Sequence, residues 1–130
     1  MISAAGASKP APEDGRLNDR RIFPTRKLAL GPYDLDGPAQ PEIARAPLSY
    51  DTARERGSYL MRLAPGAETI PHRHAAREEY LILEGEAIES DGTVLKPGDW
   101  VVYEPGSHHG TRTETGCLLL GIDWDPPGQA

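Results

Sequence analysis

The sequence points to an all-β domain folded as an antiparallel sandwich or barrel. Three features carry that reading. Four short runs rich in Leu, Ile, Val, Tyr and Trp are each closed by Gly, Pro or Asp; 14 glycines and 13 prolines punctuate 130 residues; and no long stretch sustains a helical period. Runs of about 5 to 8 residues between turn signals suit strands folding back on one another, not strands alternating with long helices.

Residues 1–20 are rich in Ala, Pro, Gly, Ser and charge without periodicity, a composition that cannot offset the entropy of ordering, and they are expected to be a disordered tail. A single domain is expected over 21–126. Within it, residues 21–50 carry isolated apolar groups, Ile22, Phe23, Leu28, Leu30 and Tyr33, between Pro24, Gly31, Pro32, Gly37, Pro38 and Pro41. That spacing predicts an extended arm or short edge strands, able to cover an open sheet edge of the same chain or of a partner. DTARER at 51–56 holds helix-forming residues but is too short to be stable alone, and Gly57 stops it. SYLMRLAPG (58–66), EEYLILEGEAIES (78–90), TVLKPGDWVVYEPG (93–106) and CLLLGIDWDPPG (117–128) read as strands with their turns.

Composition narrows the function. A net charge of -6 works against a nucleic-acid site, and the loose basic stretch Arg16, Arg20, Arg21 and Arg26 reads as solvated. No apolar run approaches the roughly 20 residues of a membrane span, and the N-terminus lacks a secretory h-region. The single cysteine, Cys117, excludes an internal disulfide and favours a reducing, cytoplasmic setting; within CLLLGI it reads as a small buried hydrophobe. Mean hydropathy is -0.53, modest for a domain with one core.

All four histidines fall into two short clusters, His72 with His74 and His108 with His109, and Glu78 stands four residues after His74. Residues i and i+2 of a strand share a face about 6.6 to 7 Å apart, so His72 and His74 can converge on one ion. A reversal at Ala75 to Arg77 would return the Glu78 carboxylate beside them as part of a hairpin. The fourth donor must come from His108 or His109. Neutral imidazole nitrogen and carboxylate oxygen together suit a divalent cation. Glu79, at an odd offset from His74, should face away.

The stretch Gly66-AETIP-His72-R-His74-AAR-Glu78-EYLILE-Gly85 resembles the first motif of the cupin superfamily, and Gly98-DWVVYEPGSH-His109 resembles its second. In the second, the proline position falls on Glu104 with Pro105 just after it, and the usual asparagine position is Thr113. Keeping Gly106 at the motif's glycine selects His109 as the third histidine; a slide by one selects His108. GTRTETGCLLLGI (110–122) is similar to the sub-group that includes metal-binding domains of anti-sigma factors and small ring- or diketone-cleaving dioxygenases. The resemblance, over about residues 40–125, implies an RmlC-like double-stranded β-helix, the cupin jelly-roll barrel, with His72, His74, Glu78 and His109 as metal ligands.

Three imidazoles and one carboxylate around an octahedral ion leave two adjacent positions for a chelating ligand or for substrate beside dioxygen. A purely structural zinc site would be closed and usually cysteine-rich. The donor set suits Fe(II), favoured here, as well as Zn(II), Mn(II), Ni(II) or Co(II). The expected activity is dioxygenase-like, on an enolisable or phenolic carbonyl compound; the alternative is a non-catalytic metal-binding sensor. Tyr59, Met61, Tyr80, Trp100, Tyr103 and Trp124 are expected to line a substrate cavity or pack in the core; Arg62 and Arg73 read as exposed, solvated cations, with an anion clamp as the alternative. Pairing through outer sheets would give a homodimer.

Overall fold

The computed structural model describes residues 19–34 and 38–126. The tail expected over 1–20 lies, but for Asp19 and Arg20, outside the described residues. Eleven strands follow in order among the described residues: β1 Gly31–Pro32, β2 Ile43–Asp51, β3 Arg56–Leu63, β4 His72–Arg73, β5 Glu78–Gly85, β6 Ala87–Glu89, β7 Val94–Leu95, β8 Trp100–Tyr103, β9 His108–His109, β10 Thr111–Arg112 and β11 Cys117–Asp123. No helix occurs among these residues, and every pairing is antiparallel.

The large sheet runs β1-β2-β3-β11-β5-β8; opposite it lie the smaller sheets β10-β6-β7 and β4-β9. The core fills the space between them. Ile43, Tyr59, Met61, Leu63, Tyr80, Ile82 and Leu119 from the large sheet meet Ala87 and Leu95 from the small one. This is the jelly roll: sequence neighbours such as β4 and β5 sit in different sheets, while β11 closes the large sheet between β3 and β5. Strand parity sets the faces. Tyr59, Met61 and Leu63 point inward from β3, and Cys117, Leu119, Gly121 and Asp123 share one face of β11.

The segment expected to be an arm divides into two parts. Residues 43–51 form a nine-residue strand inside the large sheet, paired from Ile43↔Leu63 to Asp51↔Arg56, with β1 as the short edge strand beyond it. Pro47 is tolerated because the ladder slips there: the register shifts between Pro47 and Tyr50, a bulge that adds one residue to β2. Upstream, Leu28 and Leu30 lie with Leu60 and Leu118 along a groove on the outer side of the large sheet. This part of the segment therefore covers a face and not an edge. DTARER is not helical; residues 52–55 form the turn of the β2–β3 hairpin, where Asp51 Oδ1 accepts the Arg54 N–H at 3.2 Å and Glu55 adopts φ 52°.

Gly85, which closes the first motif, has φ 73°, and a Cβ there would run into the Gly116 backbone. Only glycine lets β5 leave the large sheet so close to β11.

Candidate metal centre

β4 and β9 place the histidines. His72 is registered opposite His109 and Arg73 opposite His108, so His72 and His109 share the inward face while His108 is exposed. His74 follows β4 and is anchored by its own backbone: its N–H donates to Ser107 O at 2.8 Å, and its carbonyl accepts from Gly106 N at 2.7 Å. The chain then bends at Ala75 and Ala76 and crosses to the large sheet, where Glu78 opens β5. The expected hairpin does not form. β4 pairs with β9, and β5 pairs with β11 and β8, because a jelly roll passes from one sheet to the other at this corner.

The corner brings His72, His74, Glu78 and His109 together, with one donor atom of each inside a mutual distance of 4.8 Å. Glu78 Oε1 lies 3.3 Å from His74 Nε2 and 3.7 Å from His109 Nε2. The ring centroids of His72 and His74 are 4.6 Å apart, those of His74 and His109 4.7 Å. Ligands on opposite sides of one ion, each bonded at about 2.1 Å, would be about 4.2 Å apart, so the cluster needs only small shifts to close on a cation.

The outer partners of the imidazoles support the same fit. His72 Nδ1 lies 2.8 Å from Ile70 O, and His109 Nδ1 lies 3.0 Å from Glu89 Oε1; in both rings Nε2 is left for the cluster. His109 Nε2 is buried without a hydrogen-bond partner, and a cation would satisfy it. Burial alone would lower the His109 pKa, but the interactions with the Glu78 and Glu89 carboxylates outweigh it and hold it up to about 9. Two carboxylates around one imidazole favour positive charge, and a divalent ion answers the same field.

Glu78 sits in a polar chain. Its Oε2 accepts the Tyr59 hydroxyl at 3.2 Å, and β11 registers Asp123 directly across from it. Burial would raise the Glu78 carboxyl, yet the neighbouring His109 and His74 imidazoles bring it below the ordinary carboxylate range. Asp123 goes the other way: burial first, then the charge and hydrogen bond of Glu78, push it up to about 8. Its Oδ2 accepts the Tyr50 hydroxyl at 3.3 Å.

A cavity of about 310 Å³ opens on the cluster. Of the residues expected to line it, Tyr59, Met61, Tyr80 and Trp124 do so, with Trp124 at the half-exposed rim. Trp100 does not. On β8, Val101 and Tyr103 pack against the core, and strand parity turns Trp100 outward, where its Nε1 donates to Glu79 Oε1 at 3.0 Å. Glu79 accordingly faces away from the cluster, as expected. Arg62 also points outward, 3.7 Å from Glu84, because its β3 neighbours Met61 and Leu63 take the inner face. Arg73 borders the cavity but is tied to Gly106 O at 2.6 Å. Cys117 is buried, and burial pushes its thiol up to about 11.

Sequence reasoning missed Glu89, Asp123 and Arg45. Glu89 ends a three-residue strand, and only the pairing of β6 with β10 puts it beside His109 and Thr111. Tyr103, expected in the cavity or the core, packs against the core, stacks on the His109 ring at 3.9 Å and shares a 3.2 Å hydroxyl contact with Tyr80.

The profile of the ChrR cupin-like domain family matches residues 35–124. Among solved structures, an RmlC-like cupin from Shewanella frigidimarina is similar at 23% identity with TM-score 0.64, over 82% of this chain and 91% of that one. The polyketide cyclase RemF from Streptomyces resistomycificus is similar at 23% identity with TM-score 0.63, over 83% and 81%. The anti-sigma factor ChrR of Rhodobacter sphaeroides, in complex with SigE, is similar at 20% identity with TM-score 0.54, over 64% of this chain and 44% of that one. No curated protein matches by sequence.

Proposed function

The chain belongs to the ChrR cupin-like family, and from that premise we propose that it is a metal-dependent, dioxygenase-like enzyme acting on an enolisable or phenolic carbonyl compound. The observation that carries this reading is the cavity of about 310 Å³ opening directly on the His72, His74, Glu78 and His109 cluster. A site built only to hold an ion has no use for such a space.

His72, His74, Glu78 and His109 would hold the ion, Fe(II) being favoured over Zn(II), Mn(II), Ni(II) or Co(II). When bound, Fe(II) supplies a Lewis acid for a chelating enolate and a redox partner for dioxygen. The chain's own residues orient and enclose. Glu89 and the Ile70 carbonyl fix the tautomers of His109 and His72, and Tyr59 fixes the Glu78 carboxylate. Met61, Tyr80 and Leu119 give the cavity an apolar wall that favours a substrate's carbon skeleton over water. RemF, similar in fold, is a polyketide cyclase, and polyketides are themselves rich in enolisable carbonyls.

The test is oxygen uptake by the Fe(II)-loaded protein offered diketones and hydroxyaryl ketones, with anaerobic controls. Cleavage of a diketone consumes one dioxygen per molecule and needs no outside reductant. Uptake no greater than that of His74→Ala rules the activity out.

The family match favours a second reading, a non-catalytic metal-binding sensor, since ChrR is an anti-sigma factor. Tight zinc binding, no oxygen uptake and co-purification with a regulatory protein would select it. Under either reading the chain pairs as a homodimer through its outer face, where Trp100 and Val102 are 48% and 46% exposed. Sedimentation as a monomer at micromolar concentration excludes that. No helix among the described residues is long and apolar enough to cross a membrane.

A further inference from the structure

Arg45 is a feature of the cavity that neither the metal cluster nor the apolar core explains. It borders the cavity, and its Nη2 is buried with no hydrogen-bond partner. A guanidinium nitrogen withdrawn from water without an acceptor is costly unless a ligand brings one. No acidic side chain among the described residues forms an ion pair with it, and the nearby Asp123 is engaged by the Tyr50 hydroxyl. Of the other arginines lining the cavity, Arg73 is tied to Gly106 O, Arg77 to Glu104 at 3.0 Å, and Arg54 is exposed to solvent on the β2–β3 turn.

The guanidinium is held in place. Its Cζ lies 4.2 Å from the centroid of the Tyr50 ring and 4.7 Å from that of Tyr59. Arg45 and Tyr50 are an odd number of residues apart, and the bulge between Pro47 and Tyr50 is what lets both face the cavity. The Tyr59 ring then leads to the metal cluster, since its hydroxyl donates to Glu78 Oε2 at 3.2 Å. One tyrosine therefore separates a fixed guanidinium, its Nη2 without an acceptor, from the cation site.

We propose that Arg45 is the anion-binding group of this cavity and that the ligand is a small organic carboxylate, its carboxylate on Arg45 and its carbonyl or enolate oxygens toward the His72, His74, Glu78 and His109 cluster. The planar fork of an arginine matches a carboxylate in two parallel hydrogen bonds. The assignment rests on the metal-site reading above and narrows its substrate class to keto acids.

Two chelating probes differing by a carboxylate, acetylpyruvate and acetylacetone, test it by calorimetry on the zinc-loaded full chain, where no redox step intervenes. The wild type should bind acetylpyruvate about ten- to hundredfold more tightly. Arg45→Met should abolish that preference while zinc content and acetylacetone affinity stay unchanged; Arg45→Gln, which keeps part of the stem between the rings, serves if the first variant fails to fold. Equal binding of both probes by the wild type, a preference that survives in the variants, or equal weakening of both probes overturns the assignment. Zinc below one ion per chain in the wild type overturns the metal reading and this inference with it. A carboxylate preference without oxygen uptake by the iron-loaded protein sinks only the dioxygenase activity.

Discussion

His109 and Glu89 form a buried pair, with Nδ1 of the imidazole 3.0 Å from Oε1 of the carboxylate and the Thr111 hydroxyl donating to the other oxygen. Such a carboxylate fixes the ring and raises the basicity of the opposite nitrogen. Replacing Glu89 by Gln is expected to weaken metal affinity about 10- to 100-fold without removing a cluster member. Competition against a chromophoric chelator measures this, and unchanged affinity would show that Glu89 is only structural.

The two adjacent histidines should separate cleanly. His109 is buried in the cluster and His108 is exposed on the opposite face. Elemental analysis of untagged protein should find one divalent ion per chain in the wild type and in His108→Ala, and far less in His109→Ala. Equal metal content in the two variants would contradict this arrangement.

Removing the metal should destabilise the fold, because the cluster joins β4 and β9 of a small sheet to β5 of the large one. A ligand at a hundred times its dissociation constant stabilises by about 2.7 kcal/mol. Thermal unfolding with and without chelator should show the midpoint falling by several degrees.

Gly121 lies beneath Tyr59, its registered neighbour on β3, and a Cβ there would run into the tyrosine ring. Gly121→Ala should displace the Tyr59 hydroxyl from Glu78 and cost about 1 to 3 kcal/mol by overpacking. Tyr59→Phe should keep the packing and lose only the hydrogen bond. Calorimetric unfolding of the two variants distinguishes them: a Gly121→Ala midpoint no lower than that of Tyr59→Phe would count against the clash.

The Cys117 thiol, raised to about 11 by burial, is neutral at any pH well below that value, and only the thiolate is nucleophilic. Alkylation of the native protein in mildly alkaline buffer should be slow and become rapid in denaturant. Fast labelling of the native chain would mean that β11 opens locally.

Much of the site was legible because its signals are local. His72 and His74 are two residues apart, Glu78 four further on, and the Gly66, Gly85, Gly98 and Gly106 punctuation frames them. Strand parity likewise placed Glu79 outward, and the apolar setting of Cys117 read correctly as core. Trp100, offered for the cavity or the core by chemical type, lies in neither, because no pairing told which way its position on β8 faced, whereas Arg62 is exposed as the more favoured of its two readings had it. Arg45 went unnoticed because proline punctuation hid β2, and its inward direction depends on pairing with Met61.

From the chain alone came the antiparallel all-β architecture and the grouping of His72, His74 and Glu78, because turn residues and a two-residue period are written in neighbouring positions, while the choice of His109 over His108 came from the resemblance to the cupin motif. Tertiary structure alone decided which sheet each short strand joined, that the Glu78 corner crosses between sheets instead of turning back, and that Glu89, Asp123 and Arg45 belong to the site. Those relationships depend on cross-strand register and on two bulges, at Pro47 to Tyr50 and at Leu118 to Leu119. A one-residue slip turns every side chain of a strand to the other face, and nothing local to such a strand records where its distant partner lies.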